Sequence, residues 1–119
     1  MTVDEVKEYV LGDCSKESVE DLSIDEKKKY ATLLLLSDCD KIISKCRVFN
    51  NKQNLKALKA VGEVDERITI LRESIMSNKE CPNEKYEEIQ MEGTRLREAL
   101  SKILQFLIVQ NAQSSSSKN

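Results

Sequence analysis

The sequence predicts an all-α chain of long coiled-coil helices, with burial completed by partner helices. Three observations predict it. Charged residues make up 34% of 119 positions and aromatics 4%, with 3 Gly, 1 Pro and neither Trp nor His. So few breakers among so many charges describe long helices rather than sheets. Apolar residues recur in steps of three and four along three stretches, which returns them to one helix face. A stock of apolar residues this poor in aromatics makes a weak compact core, so neighbouring helices are expected to cover the stripes. A chain of this length forms one domain at most.

The most regular stripe runs from Leu55 to Ile75. Its residues are Leu55, Leu58, Val61, Val64, Ile68, Leu71 and Ile75. From Val61 onward the steps are three, four, three and four, the narrow seam of a coiled coil. Lys56, Lys59, Glu63, Asp65, Glu66, Arg67, Arg72 and Glu73 cover the other faces. These seven apolar residues are the first candidate partner-binding seam. A helix packed within its own domain would carry a similar stripe, usually a broader one.

In chain order, residues 1–12 hold a short N-terminal helix. Thr2 and Glu5 have the spacing of a capping box. Val3, Val6 and Val10 share a face, and Gly12 offers a left-handed stop. Residues 13–21 are polar and read as a loop, with a turn of helix over Ser18 to Leu22 as the alternative. Ser23 and Glu26 form a second capping-box signature, which opens a long helix over 23–78. Leu35, Cys39, Ile42, Cys46 and Phe49 step four and three, widened by Leu33, Leu34 and Leu36. The pattern weakens over 50–54. The expected course is a continuous helix with a register shift, on the order of 80 Å long at about 1.5 Å per residue. The alternative is a break there.

Pro82 marks a turn between Ser77 and Asn83. The chain either reverses into an antiparallel helical hairpin, or kinks so that each seam faces another chain. The C-terminal helix is expected over 83–110, with Tyr86, Ile89, Gly93, Leu96, Leu100, Ile103 and Leu107 in unbroken three-four alternation. Leu96, Leu100, Ile103 and Leu107 complete the candidate partner-binding set. Gly93 either leaves a hole in this seam or accepts a large knob. The Ser-rich tail, residues 113–119, is expected to be disordered.

The same residues argue against catalysis. There is no His, no Gly-rich phosphate loop and no carboxylate pair in an apolar setting, so neither enzyme activity nor a cofactor is expected. Cys14, Cys39, Cys46 and Cys81 contain no CxxC pair, which argues against zinc. Cys39 and Cys46 lie seven apart, at about 10 Å on one helix, too far for a disulfide. They read as small buried residues. Asp38 and Asp40 should raise the Cys39 thiol pKa and blunt its reactivity. The net charge is -2 with signs interspersed, so neither nucleic acid nor direct membrane insertion is expected. The acidic start lacks a signal-peptide core, and the longest apolar run, Ala31 to Leu36, is too short to span a bilayer. A cytoplasmic location follows as the expectation.

Two stretches carry a resemblance. Tyr9-Val10-Leu11-Gly12-Asp13, followed by Ser18, Glu20 and Asp21, resembles the opening of the second-subunit family of the biogenesis of lysosome-related organelles complex one. Val64-Asp65-Glu66-Arg67-Ile68-Thr69-Ile70-Leu71-Arg72-Glu73 is similar to that family's later aliphatic and acidic run, at a matching distance from Lys29-Tyr30. The likeness covers about Tyr9 to Asn78. The span between Asp21 and Lys29 is shorter here, Pro82 interrupts the family's helix, and the last helix has no clear counterpart. The resemblance implies a helical subunit of a hetero-oligomeric rod, without catalytic residues, acting in endosome and lysosome trafficking. It places the chain in the cytoplasm, peripheral on endosomes or lysosomes through its partners. The alternative is a helical subunit of a kinetochore, spindle or other cytoskeletal scaffold. A homo-oligomeric coiled coil or a viral helical adaptor is a third reading.

Overall fold

The structure, a computed structural model, describes residues 2–50, 52–77 and 83–117. It is all-α. The helices are α1 (Val3–Cys14), α2 (Ile24–Arg47), α3 (Leu55–Met76) and α4 (Asn83–Ser117), with 3-10 turns at Val19–Asp21 and Lys52–Asn54. No strand occurs among the described residues.

The helix starts follow local chemistry. The Thr2 hydroxyl accepts the Glu5 N–H at 3.2 Å. At α2 the capping box is complete, since Ser23 Oγ accepts the Glu26 N–H and Glu26 Oε1 accepts the Ser23 N–H, each at 3.2 Å. Each such cap satisfies an end donor and is worth about 1 kcal/mol.

The stop of α1 differs from expectation. Gly12 remains helical, and the left-handed residue is Ser15, at φ 55°. Lys16 N–H donates to the Leu11 carbonyl at 3.0 Å and Ser15 N–H to the Gly12 carbonyl at 3.4 Å. This double return bond satisfies two end carbonyls together, so the turn forms where both donors reach them and not at the first glycine.

The continuous helix over 23–78 is corrected. It breaks after Arg47 and resumes at Leu55. The reason lies in the asparagines, which compete for local backbone groups. Asn54 is buried, and its Nδ2 donates to the Phe49 carbonyl at 2.9 Å.

Cross-helix contacts fix the topology. Arg47 pairs with Asp65 at 2.7 Å and Asp40 pairs with Arg72, so α2 and α3 are antiparallel. Lys28 approaches Glu87 at 3.6 Å and Asp38 approaches Arg97 at 3.9 Å, so α2 and α4 are parallel. Gln90 Nε2 donates to Thr32 Oγ1 between them at 2.8 Å. Tyr9 lies under Lys29, with Nζ 4.8 Å from the ring centroid, and donates to the Met76 carbonyl at 3.4 Å. Thr2 and Glu5 sit beside Lys41 and Ser44, so α1 runs against α2. Successive helices thus alternate in sense. The chain has reversed between α3 and α4; the turn expected at Pro82 lies outside the described residues.

The result is a bundle of 58 × 24 × 17 Å. Its hub is α2, which packs on the three other helices and most extensively on α4. The deepest row of α2 is Lys29, Thr32, Leu36, Cys39, Ile43 and Cys46, in three-four steps, with Leu33 and Ser37 alongside. Leu35 and Ile42, expected in the seam, are half-buried on its flank. On α4, Tyr86, Ile89, Leu100 and Leu107 are buried, as is Gly93. The helix runs past Gln110 to Ser117, so the disorder expected over 113–119 is corrected for 113–117. Extending a formed helix fixes one residue per added hydrogen bond, which serine tolerates. Lys118 and Asn119 lie outside the described residues.

Candidate interaction surface

The eleven candidate seam residues divide sharply by burial. Val61, Ile68, Leu71, Ile75, Leu100 and Leu107 are buried within the chain. Leu58, Val64, Leu96 and Ile103 are half-buried, and Val64, Leu96 and Ile103 pack on the core. Leu55 alone is exposed. The stripe therefore has neighbours inside its own chain, α2 and α4. Burying each large aliphatic side chain contributes about 1.5–3 kcal/mol, which ties these six residues to the fold itself.

Around the core the charges form cross-helix pairs. Arg67 grips Glu92 with a fork, one arm at 2.8 Å. The hydrogen bond from Arg67 holds the Glu92 carboxyl below the usual carboxylate range, against some desolvation. Asp40 and Arg72 form the more sheltered pair, at 24% and 20% side-chain exposure. Exposed pairs of this kind add little stability individually. They do fix which helix faces which.

Cys39 and Cys46 are buried free thiols, as their place in the α2 row implies. Burial pushes the Cys39 thiol up to about 11. Arg97 opposes that shift, while Asp40 and Asp38 add to it. The expected direction holds, with desolvation rather than the neighbouring aspartates as its main cause. The protonated Sγ donates to the Gly93 carbonyl at 3.7 Å. Burial raises Cys46 as well. Neither thiol is prepared for nucleophilic chemistry.

One surface feature lies outside the expected seams. A shallow open groove along α4 is lined by Glu87, Gln90, Met91, Thr94, Arg95 and Glu98. The steps are three, one, three, one, three, which mark one continuous helix face about three turns long. Met91 stands at its centre, 61% exposed. The spacing is present in the sequence, but five polar residues of six hide it from a search for apolar stripes. Both charge signs line it, beside Gln90 and Thr94, which already donate to Thr32 and to the Gln90 carbonyl; such a lining suits a helix of mixed polarity.

Among the described residues, no group of three or more Cys, Asp or Glu side chains is placed to hold a metal ion. No described helix is long and apolar enough to cross a membrane. Comparison with known protein families, curated proteins and solved structures finds no match to this chain.

Proposed function

We propose that this chain is a non-enzymatic helical subunit of a hetero-oligomeric complex. The pathway suggested by the resemblance of Tyr9–Asp13 and Val64–Glu73 is endosome and lysosome-related organelle biogenesis and trafficking. In that role the chain is cytoplasmic and sits at organelle surfaces together with the other subunits.

The observation that carries the reading is the α4 groove from Glu87 to Glu98. It offers i, i+3, i+4 and i+7 positions along a helix whose Glu87 and Gln90 also reach α2 through Lys28 and Thr32. Those positions let a polar partner helix lie alongside, held by hydrogen bonds and ion pairs around the single apolar contact of Met91. Met91 supplies an adaptable apolar contact, and the flanking charges set partner choice. The groove leaves the buried seam residues in place, so binding does not require the bundle to open.

The test is purification of the tagged full chain from its native cells, with identification of what accompanies it. Subunits of endolysosomal complexes are expected. Tubulin or centromere proteins in their place would transfer the chain to a cytoskeletal scaffold. A paired Met91→Glu and Thr94→Glu variant, with helicity checked by circular dichroism, should lose the partners. Retention of the full set would remove the groove as the assembly surface.

A further inference from the structure

The charges of this chain are unevenly distributed along the sequence, and the fold brings two basic stretches together. Between Lys41 and Gly62 there are six basic residues and no acidic one. From Ala99 to the end there are two more lysines and again no acid. Residues 1–40 carry eleven acids against five bases. The topology gathers the basic stretches at one end of the bundle. Asp38 lies by Arg97 in the parallel α2–α4 pair, so the end of α2 at Arg47 is level with about Phe106. Arg47 in turn meets Asp65, so the first turns of α3 project beyond α2 alongside the last turns of α4. Lys45, Lys52, Lys56, Lys59 and Lys102 all lie exposed there, and none has an ion pair among the described residues.

The same end leaves large apolar side chains in water. Val48 is 79% exposed, Leu55 62% and Phe106 56%, with Ile108 and Val109 about half exposed. Phe106 to Val109 are four consecutive apolar residues, each turned about 100° from the last. Only Leu107 among them is buried. An α-helix apolar on nearly all sides is ordinarily enclosed, and here the chain encloses a single side.

We propose that this basic, apolar end docks on an anionic lipid surface. Positive charge makes an anionic occupant the complementary one, and it sets two copies of this end against each other. The apolar pattern favours a bilayer over an acidic helix. Along α4 the apolar rows run back into the bundle through Ile103 and Leu104, which pack on the core, so their large exposed members, Phe106, Ile108 and Val109, span a single turn. A partner helix needs anchors over two turns or more. A membrane interface instead accepts scattered apolar tips from several elements, while lysine stems lie over them with their ammonium groups at the headgroups.

The experiment is co-sedimentation of the full chain with vesicles of phosphatidylcholine alone, and of phosphatidylcholine and phosphatidylserine in equal parts. Binding is expected only to the second, weakening as salt is raised. Lys52→Glu with Lys56→Glu and Lys59→Glu should lower the partition coefficient at least about tenfold, since each lysine contributes separately. Phe106→Ser with Val109→Ser should also lower it, with charge unchanged. Circular dichroism confirms that each variant stays helical. No binding to the anionic vesicles at low salt overturns the proposal and makes an acidic protein surface the occupant to test. Equal binding to both vesicles, or binding indifferent to the serine variant, overturns it as well.

Discussion

Leu35 occupies the notch that Gly93 leaves in the seam of α4. A Cβ on Gly93 would lie 3.0 Å from Leu35 Cδ2 and 3.3 Å from its Cγ. The glycine accepts a knob, and the knob belongs to the same chain. Two opposing effects then decide Gly93→Ala. Helix propensity gains about 1 kcal/mol, while crowding moves Leu35 off its place in the packing. We expect the single change to be neutral or destabilising, and to become stabilising by about 1 kcal/mol in a Leu35→Ala background. Gly62 is the control. Nothing lies within 4 Å of a Cβ there, so Gly62→Ala should stabilise by about 0.5–1 kcal/mol. Urea melts followed by circular dichroism read all three.

Ile68→Asp combined with Leu71→Asp should unfold the chain. Ile68 is fully buried and Leu71 nearly so. Each unpaired buried charge costs several kcal/mol, against a typical total stability of about 5–15 kcal/mol. Lys56→Asp, on the exposed first turn of α3, should change little, because it places a negative charge near a helix N-terminus. Equal loss of helicity in the two would contradict the burial described for the seam.

Acid should weaken the α3–α4 contact through Glu92. Its carboxyl titrates below the ordinary value when folded. Between those two values the unfolded chain binds the proton and the folded chain does not, so stability is present above the ordinary carboxylate range and falls as pH drops through the folded value. The pair is exposed, so the effect is small and screened by salt. Glu92→Gln should flatten this acid limb relative to the unaltered chain, as measured by melts from neutral pH downward.

Alkali should act through Cys39. Its folded thiol titrates at about 11 against 9.0 for the free group. Stability from this group is full below 9.0 and declines as pH rises toward 11, because the unfolded chain releases its proton first. Cys39→Ala removes that part of the alkaline decline. Iodoacetamide should label Cys39 slowly in the native chain and rapidly in urea. Fast native labelling would contradict both the burial and the raised pKa.

The stripes on α3 and α4 were legible because they are made of aliphatic residues in unbroken steps. Both helix-start caps were legible from Ser or Thr followed three residues later by Glu. The deepest row of α2 was less so, because Lys29 and Thr32 occupy it. Lys29 is accepted there over the Tyr9 ring and Thr32 through Gln90, partners that only the folded chain supplies. Leu35 looked like a seam residue for a related reason: its seat is a glycine fifty-eight positions away. The break after Arg47 turned on one asparagine hydrogen bond, too small an effect to read from helix propensity. The basic end is not legible as a unit because its lysines come from distant stretches, Lys45 to Lys59 and Lys102, which only the pairing of α2 with α3 and α4 brings to one end.

The parallel pairing of α2 with α4 has a consequence for synthesis. The principal partner of α2 is made only after α3. While the ribosome is still translating α3, Leu33, Leu36, Cys39 and Ile43 have no α4 to cover them. The delay from Leu36 to Gly93 amounts to roughly 3–12 s at about 5–20 residues per second. During that interval the emerging chain is a nascent hairpin with one open apolar face. A holding chaperone, or a subunit translated nearby, meets the hub helix before the bundle closes over it.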